Sequence, residues 1–269
     1  MSVLAIAVLV VSVWILKHYF VWKPLNLDNY YRQTPLVFAH RGIFKRVPEN
    51  TLSAYLEVAK QQVPALEMDV VMTRDGRVIC SHNFDLERET DGSGFINDFD
   101  YEELGTILTG VRTGNGNEER LPLLEEVAER LPKDLRLNIE IKSNRLFDFR
   151  TAMKVAGMVK NKTIPQPTII SSFNPLAIWA VKWVDSNIPT GFILETMEYF
   201  PFVNLAHPDC LHPAAELLTA DLAKYARDRG LRINVWTVNN KPAIRWLLNL
   251  GVDGIITDRP EFLEYQKRS

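Results

Sequence analysis

Residues 65–82 read Ala65-Leu66-Glu67-Met68-Asp69-Val70-Val71-Met72, then Thr73-Arg74-Asp75-Gly76-Arg77, then Val78-Ile79-Cys80-Ser81-His82. An Asp-Gly pair between two short apolar runs is the strongest local hairpin signal in the chain. Residues 78–82 are therefore an antiparallel return of the preceding strand's extension, and not a new parallel strand. Outward from this hairpin, apolar runs alternate with helical periodicity. Strands are expected at 36–40, 65–72, 136–142, 167–172, 190–194, 202–207, 232–238 and 253–257. Helices are expected near 51–61, 122–131, 147–161, 175–186, 214–229 and 241–250, with Gly230 and Gly251 as stops. Without the hairpin return, eight strand candidates remain, most with a helix between them. Alternation at that spacing implies parallel strands, and eight units fit a closed (β/α)₈ TIM barrel, an α/β fold. An open doubly wound sheet is the alternative, but no Gly-x-Gly-x-x-Gly follows any strand. Residues 83–120 form one long irregular stretch directly after His82, read as an insertion that is functional or mobile.

The chain has 269 residues, enough for one large α/β domain, and 46% of them are hydrophobic, which argues against disorder. A net charge of −2 gives no electrostatic case for a nucleic-acid partner. Cys80 and Cys210 make neither a disulfide framework nor a metal-ligand spacing. Residues 3–16 carry no charge, and extension through Trp22 gives about 20 residues, enough to span a bilayer. Trp14, Tyr19 and Trp22 would mark the interface, with Lys17 and His18 at headgroup level. A cleaved signal peptide and a packing helix are the competing readings. No basic residue precedes the run, and no small-x-small site follows it. The expected organisation is a single-pass transmembrane anchor at 1–23, a linker at 24–34 and a barrel at 35–265. Lys17, Lys23 and Arg32 after the span place the catalytic domain on the cytoplasmic side.

Charged groups inside strand-like apolar runs are costly unless they are paired or bind a metal. Glu67 and Asp69 lie two apart on a strand, so their side chains share a face, which in a barrel is the interior. Glu140 sits within Arg136-Leu137-Asn138-Ile139-Glu140-Ile141-Lys142, with Lys142 on the same face. Three carboxylates converging on one point need a cation, and all-oxygen ligands favour Mg²⁺, Ca²⁺ or Mn²⁺. The plainer reading makes these residues structural ion pairs and surface acids. His40 and His82 close neighbouring runs and suit general acid and base, while Arg41 and Lys142 suit phosphate. Each histidine alone reads equally well as a packing group. Asn50 or Thr51 is expected to cap a helix start, Asn50 being the favoured cap, with Glu49 either near its first turn or facing the metal or the residues around it. Trp236 either lines a pocket or fills the interior.

With these residues in place, the chain resembles the glycerophosphodiester phosphodiesterase family. The resemblance runs through Phe38-Ala39-His40-Arg41-Gly42, Pro48-Glu49-Asn50-Thr51, Glu67-Met68-Asp69-Val70 and Ser81-His82-Asn83. It continues through Leu86-Glu87-Arg88, Thr90-Asp91-Gly92-Ser93-Gly94, Asn138-Ile139-Glu140-Ile141-Lys142 and Ser171-Ser172-Phe173. Trp236-Thr237-Val238-Asn239, Gly251 to Thr257 and Asp258-Arg259-Pro260 complete it, over about residues 35–262. It implies a barrel with a small insertion, and hydrolysis of glycerophosphodiesters to an alcohol and glycerol 3-phosphate. By the same resemblance Glu67, Asp69 and Glu140 bind one divalent cation, and His40 and His82 are the acid–base pair. Arg41 and Lys142 would contact phosphate, and Trp236 would sit beside the glycerol or head group. The family usually has His-Asp where this chain has His82-Asn83, and Asn83 keeps hydrogen-bonding capacity without charge. Lysophospholipids are an alternative substrate, and a phospholipase C-like barrel or a membrane-tethered binding protein are competing readings.

Overall fold

The computed structural model describes residues 3–112 and 117–262, apart from the side chains of residues 3, 4, 7, 14, 15 and 17–20 in the first helix. That helix, α1 (Val3–Phe20), precedes the barrel. The first half-barrel comprises β1 (Leu36–Ala39), α2 (Leu52–Lys60), β2 (Ala65–Met72) and β3 (Val78–Cys80). The short strands β4 (Leu108–Thr109) and β5 (Glu119–Arg120) precede α3 (Leu124–Arg130), β6 (Arg136–Ile141), α4 (Arg150–Lys160) and β7 (Thr168–Ser172). There follow α5 (Pro175–Val184), β8 (Thr190–Leu194), α6 (Val203–Ala206) and β9 (Cys210–Pro213). The last units are α7 (Ala220–Arg229), β10 (Arg232–Val235), α8 (Lys241–Asn249) and β11 (Gly254–Thr257).

Eight of these strands run parallel in the order β1, β11, β10, β9, β8, β7, β6, β2, and pairing of β1 with β2 closes the barrel. The hairpin return is as expected: β3 pairs antiparallel with β2, Val70 opposite Cys80, through a turn in which Gly76 has a φ of 79°. One expected strand is corrected. Residues 202–207 form the end of a 3₁₀ turn and α6, and the sixth barrel strand is β9, eight residues further on. The largely apolar run Phe202-Val203-Asn204-Leu205-Ala206 is too short to separate the two periods, and an apolar run of that length suits either. Helix α7 also begins later than expected, because Thr219 accepts from Leu222 N at 3.2 Å and caps it there.

Alternation along β2 and β6 builds two compartments. Leu66, Met68 and Val70, with Leu137, Ile139 and Ile141, face outward into one core with Val58, Val127 and Val155 from the surrounding helices. Their alternate neighbours Glu67, Asp69, Asn138 and Glu140 face the barrel interior. A second outer core gathers Phe192, Leu211, Ile233 and Ile255 beneath α6, α7 and α8.

Residues 24–34, expected as a linker, fold against the barrel's N-terminal end. Leu27, Tyr30 and Tyr31 are buried with Leu36, Phe38, Ile169 and Cys210. The Tyr30 hydroxyl donates to Leu137 O at 2.8 Å, and Leu25 N donates to Asp209 Oδ1 at 2.8 Å. The Tyr31 hydroxyl donates to Asn234 Oδ1 at 3.0 Å, and Asn234 Nδ2 donates to His212 Nε2 at 2.9 Å. A Cβ on Gly191 would lie 2.5 Å from His212 Nε2, and one on Gly254 would lie 2.1 Å from Asn234 Oδ1. Only glycines leave room for this polar pair.

Among the described residues, no helix is long and apolar enough to cross a membrane. The expected spanning role of residues 1–23 is thus not carried by the fold, and the side chains of Trp14, Lys17, His18 and Tyr19 lie outside the described residues. The insertion at 83–120 is folded where described: Leu86, Ile96 and Leu104 bury with Val71 and Ile79, and Phe84, Phe99, Tyr101 and Ile107 pack around them. Among its described residues Phe95 is the one large apolar side chain left mostly exposed, so the insertion carries a satellite core of its own.

Burial holds His212 neutral, with its pKa pushed down to about 3 from the usual 6.5. The unfolded chain takes up that proton from about pH 6.5 downward, whereas the folded chain does not until far lower. Stability should fall as pH drops through this window, by up to about 1.4 kcal/mol per unit. Urea melts at pH 7 and pH 4.5 measure the loss. His212→Gln, which keeps an acceptor for Asn234, should make it shallower.

Candidate active site

The strand register delivers the carboxylates. Asp69 on β2 is directly opposite Glu140 on β6, and Glu67 is opposite Asn138. One oxygen from each of Glu67, Asp69 and Glu140 lies within 4.8 Å of the others. Glu67 and Asp69 are buried, and Glu140 is partly so. Burial raises the Glu67 pKa, and the neighbouring Asp69 raises it further. Glu140 is raised by burial too, although Lys142 opposes this. Asp69 differs: burial would raise it, but Lys142 and Arg41 outweigh that and hold it below the ordinary carboxylate range. Two strained carboxyls around a firmly ionised third, all with oxygen donors, fit a hard divalent cation.

Cationic side chains frame this group. Lys142 Nζ donates to Glu140 Oε1 at 2.7 Å and lies 3.3 Å from Asp69 Oδ1. Arg41 follows β1 with a left-handed φ of 54°, and its backbone N donates to Glu67 Oε2 at 3.1 Å. Its Nη1 donates to Glu49 Oε1 at 2.6 Å, while its buried Nε lies 3.2 Å from Asp69 Oδ2 without hydrogen-bond alignment. An unsatisfied guanidinium N–H aimed into a carboxylate cluster is a donor available to an incoming oxyanion. Glu49 thus braces Arg41 instead of starting the helix.

The capping expectation for Asn50 is corrected. Thr51 caps α2, accepting from Ala54 N. Asn50, itself at a φ of 54°, donates from Nδ2 to Asp69 Oδ2 at 3.0 Å and accepts from Asp69 N at 3.1 Å. Tyr55 donates its hydroxyl to Asn50 Oδ1 at 2.8 Å. This two-point grip fixes the Asp69 carboxylate.

Both histidines are at the same rim. His40 Nδ1 is 2.6 Å from Asp258 Oδ1, and Asn239 Nδ2 donates to the other oxygen of Asp258. Burial would lower the His40 pKa, but the Asp258 hydrogen bond and the Glu67 carboxylate together leave it raised. His82 Nδ1 is 3.1 Å from Asn83 Oδ1. Its pKa is pushed down to about 4, chiefly by burial, which outweighs the pull of Asp69. Trp236 stands just past β10, donating from Nε1 to His212 O at 2.7 Å and meeting Phe173 edge-on at 5.6 Å. It lines one cavity with His40, Glu67 and Glu140.

The family model for glycerophosphoryl diester phosphodiesterases matches residues 40–262, spanning both histidines, the three carboxylates and Trp236. The chain belongs to the glycerophosphoryl diester phosphodiesterase family. It is 34% identical over 232 residues to a glycerophosphodiester phosphodiesterase of Caldanaerobacter subterraneus subsp. tengcongensis, covering 85% of this chain and 96% of the relative. A human lysophospholipase D, GDPD1, is 26% identical, with 82% of each chain covered. An Oleispira antarctica phosphodiesterase, solved with the product sn-glycerol-3-phosphate, superposes with a TM-score of 0.79 at 26% identity. That match covers 87% of this chain and 97% of the Oleispira chain. The chain is accordingly a phosphodiesterase acting on glycerophosphodiesters, with an acidic cluster suited to a divalent cation.

All eight residues singled out from the sequence of this glycerophosphodiester phosphodiesterase lie at the barrel's C-terminal end. Asp258, Asn239 and Glu89 have no role assigned by sequence, and Asn50 has only that of a cap. Asp258 follows β11 within Thr257-Asp258-Arg259-Pro260, a strand-end acid of the same kind as Glu67 and Asp69, and that signal could have found it.

The electrostatics separate the three carboxylates. Glu67→Gln should raise the melting temperature of the cation-free protein by relieving like charge. Asp69→Asn should lower its stability by about 1–3 kcal/mol, since Arg41 and Lys142 lose a buried partner. Both, and Glu140→Gln, should abolish the rise in melting temperature that Mg²⁺, Ca²⁺ or Mn²⁺ gives the native chain. A variant that kept the full rise would remove that residue from the ligand set.

Proposed function

We propose that Glu67, Asp69 and Glu140 hold one divalent cation, and that His40 and His82 move the protons of phosphodiester hydrolysis. The supporting observation is the convergence of three carboxylates, two of them with raised pKa, and two differently poised imidazoles on one rim. When bound, the cation supplies charge stabilisation at a phosphoryl oxygen. Mg²⁺ and Ca²⁺ suit the all-oxygen donor set best, with Mn²⁺ next. Arg41 and Lys142 offset charge on the non-bridging oxygens. One imidazole takes the proton of the attacking oxygen, and the other protonates the departing alcohol. The attacking oxygen belongs to water, or to the substrate's own glycerol 2-hydroxyl, in which case the alcohol leaves first and water then opens the resulting cyclic phosphate. Trp236 packs beside the glycerol or head group, and glycerol 3-phosphate leaves with the alcohol.

A specific feature favours lysophospholipids as a second substrate class. The loop after β6 carries Leu146 and Phe147, 53% and 76% exposed, and Asn174 Nδ2 pins it to the rim by donating to Leu146 O at 2.9 Å. An acyl chain could rest on that lip. Cleavage on the same side of the phosphate would then give lysophosphatidic acid, and the human relative of this chain is named as a lysophospholipase D. We further propose that α1 seats the enzyme in lipid with the barrel on the cytoplasmic side, since its apolar side chains Ile6, Leu9 and Val10 are each about half exposed or more. Detergent should be needed to extract the full chain from membranes. Release by high salt alone would overturn the lipid role of α1.

His40→Ala and His82→Ala should each lower kcat by about 10²–10⁴ with unchanged circular dichroism. Chelation with EDTA should abolish turnover, and one of the three cations should restore it. Glycerophosphocholine, glycerophosphoethanolamine and a lysophosphatidylcholine, assayed in parallel with products identified by mass, test the bond specificity. Phosphate should remain on the glycerol side. Phosphocholine as product would defeat the assignment in favour of phospholipase C-type cleavage.

A further inference from the structure

Asn83 stands between His82 and a half-buried carboxylate, Glu89, and bonds to both. Asn83 is buried, and its Nδ2 donates to Glu89 Oε1 at 2.6 Å. Its Oδ1 faces His82 Nδ1 at 3.1 Å, and its backbone O accepts from Ser81 Oγ at 3.0 Å. Glu89 is held in turn: Gly110 N and Thr109 Oγ1 donate to its backbone O at 2.9 and 3.3 Å.

We propose that Glu89 is a positioning residue for His82, acting through the Asn83 amide to fix the tautomer of the imidazole. Donor and acceptor capacity alone dictates this. An ionised carboxylate only accepts, so Glu89 must take an N–H from Asn83. That turns the amide oxygen toward His82. A carbonyl oxygen also only accepts, so the proton of neutral His82 must sit on Nδ1. Nε2, the nitrogen on the far side of the ring, is then left with a free lone pair for proton transfer. Without Glu89 the amide could present either end to the ring, and either tautomer would be satisfied. An aspartate at 83 would enforce the same tautomer directly. This chain keeps the carboxylate one side chain further away, so the ring feels the orientation with less of the charge.

The inference rests on His82 being an acid–base residue, and its test is built so that the two can fail separately. Burial, with Glu49, Asp69 and Asp85 nearby, pushes the Glu89 carboxyl up to about 7, against the opposing pull of Arg41. Once protonated it can donate to the amide oxygen, and the orientation is no longer enforced. The native enzyme should therefore show an acid limb in kcat near neutrality.

The full-length enzyme in detergent, labelled with ¹⁵N-histidine, reports the tautomer of His82 directly, with His82→Ala to assign its resonances. The native ring should be protonated on Nδ1 alone at pH 8. Glu89→Leu should give a mixture of tautomers and lower kcat by about 10–100-fold, with KM little changed. Glu89→Gln, which preserves volume and lets the amide take either orientation, should move both readouts the same way. Asn83→Asp combined with Glu89→Leu should restore the single tautomer and most of the lost kcat, and should remove the acid limb near neutrality. Unchanged tautomer and kcat in Glu89→Gln and Glu89→Leu would overturn the relay, as would failure of the double variant to rescue. Native turnover in His82→Ala would instead overturn the catalytic reading of His82.

Discussion

Three carboxylates held within 4.8 Å of one another inside a barrel are an unfavourable arrangement for a protein interior, and much of the neighbouring structure answers to it. Strand register makes the arrangement unavoidable, because Asp69 lies directly opposite Glu140 on the adjacent strand. Side chains on one face of adjacent strands cannot move apart without breaking the ladder. The protein compensates with cations and amides drawn from separate elements. Lys142 comes from the end of β6, Arg41 from the end of β1, and Asn50 from the turn before α2. Asn50 and Arg41 both sit at positive φ, a backbone conformation unfavourable for side-chain-bearing residues and tolerated where surrounding contacts demand it.

The histidines show how one rim creates two different imidazoles. His40 gains a carboxylate partner from Asp258 and lies close to Glu67, so protonation is favoured despite burial. His82 meets an uncharged amide and is dominated by burial. The contrast is set by the partner each ring meets rather than by the rings' own depth. Environments that push two groups apart in this way divide acid from base work in hydrolytic sites.

Much of this was legible in the chain. The Asp75-Gly76 hairpin was, because a tight turn is a local event with a local signature. The carboxylates were also legible, because a charge at every second position of an apolar strand is conspicuous. Residues 202–207 pass for a strand because a short apolar run carries no usable period, and the true strand, Cys210-Leu211-His212-Pro213, hides a histidine and a proline among its apolar residues. Asn50 passes for a cap because the helix cap and the Asp69 clamp occupy adjacent positions with the same residue preferences, and only tertiary contact separates them. The Asp258–His40 pair joins residues 218 apart, a separation over which no local pattern speaks.

The packing of Leu27, Tyr30 and Tyr31 into the barrel's base fixes the point at which the chain leaves the barrel toward α1. A flexible tether would let the catalytic rim sample every height and tilt relative to whatever holds the helix. Here the chain emerges from the face opposite the rim, with the Trp22 ring stacked on His207 at 5.0 Å and its Nε1 donating to Asn204. The distance from that exit to the clustered carboxylates is therefore a property of the barrel's own height, rigid and unaffected by chain entropy. Any change in the length of chain between α1 and Leu25 would leave the geometry between base and rim as it is.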